Sequence, residues 1–173
     1  LVEGFNQVEA RVSRRFRQLY STRHVDGKSA KIHWTMWSAR YQCSNCQWDF
    51  LLWDVMDRVS GRLGAAVKCP SCSKLVRRST LKRLGSEPAW IAYETQDGKR
   101  FEKAPEALDI KKAKRPKREA ISAWYPTTPV GRDREMYLRC ALHLQGISTV
   151  ADFYTVRNLE ALALLWQEIC DVQ

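Results

Sequence analysis

A chain of 173 residues, 45% hydrophobic and 28% charged, has the make-up of a globular protein of one or two compact domains and excludes a disordered tail. Its longest apolar run, residues 161–166, falls well short of the roughly 20 residues a membrane-spanning helix needs. Neither a membrane partner nor a secretory leader is therefore expected, and the cytoplasm is the expected setting. The net charge of +10 is uneven, with +5, +4, +4 and −3 contributed by residues 1–40, 41–88, 89–118 and 119–173. Such asymmetry favours a polyanion or an acidic surface as partner; the alternative is a basic face that only aids solubility.

In chain order, Val2, Phe5, Val8, Val12, Phe16 and Leu19 recur at steps of three and four, which predicts an amphipathic helix over 2–20 with its arginines mostly off the apolar stripe. A turn at Asp26-Gly27 leads into an aromatic, alternating strand over 31–42. Residues 48–56 read as a second strand, 58–64 as a turn-like connection, and 74–84 as a basic exit. Residues 88–103 read as a small hairpin turning at Asp97-Gly98. The tract 111–118, with six basic side chains and a proline, is expected to be an exposed linker. A short helix over 134–145 stopped by Gly146 and a longer one over 158–172 follow. On the latter, Leu159, Leu162, Ala163, Trp166, Ile169 and Cys170 share a face, and Thr155 is placed to cap it.

Four of the six cysteines form two CxxC pairs, Cys43/Cys46 and Cys69/Cys72. Each CxxC can fold into a tight turn aiming two thiolates at one ion, and two such turns make a tetrahedral sulfur site suited to zinc. Disulfides, a redox pair and fortuitous cysteines are the competing readings; the missing secretory features argue against the first, and the doubling of the motif against the second. The intervening segment has room for a hairpin and return strand, so the expected fold is α+β: a zinc ribbon with small antiparallel hairpins, flanked by N- and C-terminal helices. The expected division is 1–118, helix plus ribbon and basic hairpin, and 119–173, a helical element. Cys140 and Cys170 lie on apolar helical faces and are expected to be buried, unreactive thiols.

No glycine-rich nucleotide loop, GxSxG elbow or HExxH motif occurs. His24, His33 and His143 are not at ligand spacing and read as surface or packing residues. The chain by itself does not read as a complete enzyme, and no catalytic residue is singled out.

The run LYSTRHVDGKSAKIHWTMWSARYQCSNCQWDFLLWD at 19–54 and KCPSCSKLVRRSTLKR at 68–83 resemble the zinc-ribbon region of prokaryotic site-specific DNA methyltransferases of the amino-methylating N-4/N-6 class. WYPTTPVGRDRE at 124–135 and ISTVADFYTVRNLEALALLWQEI at 147–169 resemble a further stretch of the same proteins. The resemblance spans nearly the whole chain and rests most on the Trp-Ser before the first knuckle and on the YTxRN element. It implies a parent enzyme of restriction-modification type that binds S-adenosylmethionine through an FxGxG-type loop and carries a DPPF/DPPY-type motif. Neither is in this sequence. The segment would then contribute target recognition and duplex contact, because amino-group methylation needs the base drawn out of the stack while another element grips the DNA.

The expected phosphate contacts are Arg77, Arg78, Lys82 and Arg83 beside the second knuckle, with Lys111, Lys112, Lys114, Arg115, Lys117 and Arg118 in the linker. Tyr154 and Arg157, at a helix start, are the expected contacts with the catalytic methyltransferase domain; a helix cap with a surface arginine is the plainer reading. Two other readings stay open: a zinc-ribbon scaffold that braces the methyltransferase or a partner subunit, and an RNA-binding ribbon using tryptophans as stacking platforms. Trp34, Trp48, Trp53 and Trp166 are equally explained as core.

Overall fold

The computed structural model describes residues 2–57, 61–62, 64–114 and 118–172. Among them are four α-helices and seven strands, the strands in two antiparallel sheets, so the fold is α+β. Two compact units interleave in sequence, 22–110 forming one and 1–21 with 111–173 the other. That is not the linear division at residue 118, because the first helix finds its apolar partner near the end of the chain.

Unit 22–110 is built on two long strands, β2 (Ser29–Gln42) and β6 (Lys82–Glu94), paired antiparallel over most of their length. Alternate residues Ala30 and Ile32 on β2 and Ala89, Ile91 and Tyr93 on β6 are buried, as the period-two geometry of strands requires. β1 (Ser21–Arg23) flanks β2, and β7 (Arg100–Lys103) flanks β6. Of three register shifts, one falls between Ile32/Trp34, and the other two, between Met36/Trp37 and between Arg40/Tyr41, lie opposite Pro88 and Gly85. Proline lacks an N–H and Gly85 has φ 135°, so both sit where the ladder is interrupted. The expected hairpin at Asp97-Gly98 is present, with Gly98 at φ 79° and its N–H donating to Thr95 O at 2.9 Å. Its first strand starts at Lys82 rather than at 88, so the sheet is larger than the small hairpins expected.

The expected strand over 48–56 holds only as β3 (Asp49–Leu51), which pairs with β2. From Leu52 to Val55 the chain winds into a 3-10 turn. The Trp53 N–H donates to Ser38 Oγ at 2.9 Å instead of continuing a ladder. Leu52 and Val55 then pack against a core of Cys43, Phe50, Val67, Cys69, Val76 and Leu81. The second sheet is the hairpin of β4 (Ala66–Lys68) and β5 (Leu75–Arg77). Of the connection expected over 58–64, residues 58–60 and 63 lie outside the described residues.

In the other unit, α1 (Val2–Leu19) packs antiparallel on α4 (Val156–Cys170). Val8, Val12 and Leu19 of the predicted stripe are buried, as are Leu159, Ala161 and Ala163 of α4, whereas Val2 and Phe5 stay exposed. Arg11 and Arg15 pair with Glu168 and Glu160 of α4. Thr155 caps α4 as expected, its Oγ1 accepting the Asn158 N–H at 3.3 Å. The single helix expected over 134–145 is instead α3 (Glu135–Arg139) followed by a 3-10 turn over Leu142–Gln145. Ala141 at φ 51° breaks it, a left-handed residue that nothing in an alanine announces. α2 (Ala107–Ala113) takes in the start of the expected linker.

Candidate metal centre and its basic surround

The two CxxC loops repeat one backbone design. Cys43 N–H donates to Trp48 O at 2.9 Å and Gln47 N–H to Cys43 O at 3.1 Å. In the second loop Cys69 N–H donates to Lys74 O at 2.9 Å and Ser73 N–H to Cys69 O at 3.0 Å. Gln47 and Ser73, each directly after the second cysteine of its pair, are left-handed at φ 61° and 58°. That turn reverses the chain and aims the Trp48 and Lys74 N–H groups at the sulfurs of Cys46 and Cys72.

The four sulfurs converge. Cys43 Sγ lies 3.9 Å from Cys72 Sγ and Cys46 Sγ lies 3.6 Å from Cys69 Sγ, and all four are within 4.8 Å of one another. Disulfides are excluded, since an S–S bond is about 2.05 Å. Four sulfurs placed tetrahedrally about 2.3 Å from one ion would lie about 3.8 Å apart, so these separations fit a metal ion. Cys43 and Cys69 are buried, Cys46 and Cys72 half-buried.

Electrostatics point the same way. The Cys46 and Asn45 N–H groups hold the Cys43 thiol below its ordinary range, and the Lys74 N–H brings Cys72 down to about 6. Cys46 receives the Trp48 N–H, yet burial and the neighbouring sulfurs of Cys72, Cys69 and Cys43 push it up to about 11. Four thiols this close cannot all ionise unaided, and a cation that takes the place of their protons relieves the repulsion. Asn45, which sequence reasoning missed, donates from Nδ2 to Cys72 Sγ at 3.5 Å and accepts from Lys74 Nζ at 2.9 Å.

Cations ring this cluster. Arg77 ends β5, Arg78 opens a 3-10 turn over 78–80, and Lys82 and Arg83 begin β6; all four are exposed. Ser44 of the first loop lies 3.5 Å (Oγ to Oγ1) from Thr80 of that turn, and Lys82 stands opposite Gln42, next to Cys43. Arg83 donates to Ser86 Oγ at 3.0 Å; among the described residues Arg77, Arg78 and Lys82 have no side-chain partner. Exposed Lys68 precedes Cys69 and belongs to the same group, a residue the basic run at 74–84 did not include.

The described residues of the tract 111–118 are only partly the exposed linker expected. Lys111 and Lys112 are in the last turn of α2, and Lys112 Nζ donates to Ser21 O and Oγ, both at 2.8 Å. Arg118 pairs with Asp152 at 2.6 Å and donates to Ala151 O at 3.2 Å. These two side chains tie their own unit together. Lys111 and Lys114 are exposed, while Arg115 and Lys117 lie outside the described residues. The tract also belongs to the unit that does not contain the cysteines.

The helix start at Thr155 is capped, but Arg157 is not a surface arginine. It is 4% exposed, with its guanidinium 4.8 Å from the centre of the Tyr20 ring. Tyr154 is partly exposed and borders an apolar groove of about 240 Å3 lined by Trp124, Tyr125, Leu162, Trp166 and Ile169. The face expected on α4 is thus split: Leu159 and Ala163 are buried, Leu162, Trp166, Ile169 and Cys170 exposed. Cys140 is exposed as well, because its helix ends one residue earlier. Of the tryptophans read as possible core, Trp34, Trp48 and Trp166 are exposed, and Trp53 is half-buried. The histidines serve packing and surface contacts: His24 meets Tyr93 Oη at 3.0 Å, His33 meets Glu94 at 3.1 Å, and the His143 ring lies beside Tyr137.

No helix among the described residues is long and apolar enough to cross a membrane. Comparison of the chain with protein-family models, with curated proteins and with solved structures gave no match.

Proposed function

We propose that Cys43, Cys46, Cys69 and Cys72 hold one structural zinc ion, that the loops and hairpins around it form a zinc ribbon, and that this ribbon grips DNA as the recognition part of an amino-methyltransferase. The observation that carries the DNA reading is the set of exposed cations Arg77, Arg78 and Lys82, without side-chain partners among the described residues, with Lys68 and Arg83, beside a cluster of four cysteines. Zinc with four thiolates has no open coordination position, so its role is to fix the loops and not to activate water. Its two negative charges are outnumbered by the cations around it, which leaves a surface suited to phosphates. The methyltransferase setting is supported by the sequence resemblance. In that setting S-adenosylmethionine and the reacting base belong to the rest of the parent enzyme, and Tyr154 faces the catalytic domain. Reduced cysteines suit a cytoplasmic location. A scaffold role is the second reading, favoured by the apolar groove beside Tyr154.

Salt separates the two. The zinc-loaded chain should contain one zinc per molecule by elemental analysis. It should bind a duplex oligonucleotide with an affinity that falls steeply as salt rises. Replacing Arg77, Arg78, Lys82 and Arg83 together by glutamine should weaken binding similarly for every sequence and reduce the log–log salt slope by about 3 to 4, at about 0.9 per phosphate. Unchanged affinity and slope in that variant would leave the scaffold reading in its place.

A further inference from the structure

We propose that Asn45 and Lys74 form an outer clamp on the metal site: Asn45 is a positioning residue that holds Cys72 from the opposite cysteine loop, and Lys74 strengthens that contact with its charge. The inference rests on the zinc reading above and assigns one cation of the basic run 74–84 to the metal instead of to phosphates.

The two loops repeat each other in backbone, from the bonded N–H of the first cysteine to the left-handed residue after the second. Their side chains differ at the third position, which is Asn45 in one loop and Ser71 in the other. Ser71 is exposed and, among the described residues, has no side-chain partner. Asn45 touches both halves of the cluster. Its N–H donates to Cys43 Sγ at 3.4 Å, its Nδ2 donates to Cys72 Sγ at 3.5 Å, and its Oδ1 accepts from Lys74 Nζ at 2.9 Å. An ammonium can only donate, so the amide oxygen faces Lys74 and the amide NH2 is left for the sulfur. Lys74 thus reaches Cys72 twice, through its own N–H and through the Asn45 amide. The turn itself does not need these side-chain bonds, because the loop with Ser71 makes the same turn without them.

Charge says what the clamp does. Four thiolates on one divalent ion leave a net negative charge, and outer donors that bond the ligand atoms both orient them and disperse that charge. The ammonium at Oδ1 polarises the planar amide and makes its N–H a stronger donor to sulfur. Both residues are exposed. Water therefore screens the pair, and its effect belongs near the low end of the roughly 10–100-fold that outer partners contribute to metal affinity.

The test measures zinc affinity of the 173-residue chain by competition with a chromophoric chelator, and the salt dependence of duplex binding in the same proteins. Asn45→Ala should weaken zinc binding about tenfold, with Ser71→Ala unchanged. Asn45→Asp should lose at least as much as alanine, since a carboxylate keeps Lys74 but cannot donate to Cys72 and adds a negative charge beside the sulfurs. A residue that only shaped the turn or tethered Lys74 would tolerate aspartate, so wild-type affinity in Asn45→Asp would overturn the proposal. Lys74→Met should weaken zinc binding about threefold in the wild-type background and not at all in Asn45→Ala, while leaving the salt slope of duplex binding unaltered. A slope reduced by about 0.9 with zinc affinity unchanged would return Lys74 to the phosphate contacts and overturn its part in the clamp. If Asn45→Ala takes up no zinc at all, Lys74→Met decides, because it alters no residue of either CxxC; if the chain binds no duplex, the zinc measurements decide alone. Zinc affinity unmoved by Asn45→Ala would overturn the clamp and leave the four-cysteine site standing, whereas a wild-type chain that binds no zinc would remove the metal reading and this inference together.

Discussion

Gln47 and Ser73 are the two residues on which the cysteine loops turn, and neither is the glycine that a left-handed φ favours. An L-residue in that conformation costs about 1–2 kcal/mol, partly offset by the entropy a glycine loses on folding. Ser73→Gly and Gln47→Gly should therefore each raise the stability of the zinc-loaded protein by about 0.5–1 kcal/mol in chemical denaturation. Ser73→Val should lower it, since a β-branched residue resists positive φ. At this scale the cysteine pairs were legible because their spacing carries geometry, whereas the exposure of Trp48 and the burial of Arg157 were not. Composition ranks tryptophan inside and arginine outside; which ring a guanidinium finds, here Tyr20, depends on two helices far apart in sequence.

Among the elements, the short turn Val150–Phe153 is held by one carboxylate. Asp152 Oδ2 accepts the Ser148 and Thr149 N–H groups at 2.8 and 2.7 Å and both their hydroxyls, while Oδ1 takes Arg118. Burial alone would raise its pKa, but the Ser148 N–H, the Arg118 guanidinium and the Thr149 N–H outweigh burial and hold the carboxyl well below the usual carboxylate range. A carboxyl depressed in the folded state contributes its full stability above the unfolded value of about 4 and loses it as pH falls through the folded value. Asp152→Asn should cost about 1–3 kcal/mol at pH 7, the range for unmaking charged hydrogen bonds. Denaturation of both proteins at pH 7 and pH 3 should show the gap narrowing in acid. Elements with a periodic signal (α1, α4, β2) were readable from the chain, as was the Asp97-Gly98 turn. The 3-10 turns at 52–55 and 142–145 were not, because a borrowed Ser38 hydroxyl and a left-handed alanine set them, and neither leaves a local pattern.

At the scale of the whole molecule, a linear reading could not find the division into units, since α1 and α4 pair from opposite ends of the sequence. That division places all four clustered cysteines in one unit. In 22–110, Phe50, Val67, Val76 and Leu81 pack around Cys43 and Cys69, so the loops, the β4–β5 hairpin and the start of β6 depend on whatever joins the four sulfurs. A four-sulfur zinc site supplies on the order of 10 kcal/mol to local folding, comparable to the whole stability of an ordinary domain. The other unit buries Val8, Val12, Leu19, Leu159 and Ala163, and none of the four clustered cysteines is part of it. If the four cysteines hold zinc as proposed, a chelator should weaken the near-ultraviolet signal and expose residues 22–110 to protease while the far-ultraviolet helical signal persists. Cys69→Ser should reproduce that state, and added zinc should restore the chelated wild type but not the variant. Helical signal lost in step with the metal would mean that the cluster supports both units; packing of residues 22–110 unchanged after complete chelation would mean that the apolar core there suffices without an ion.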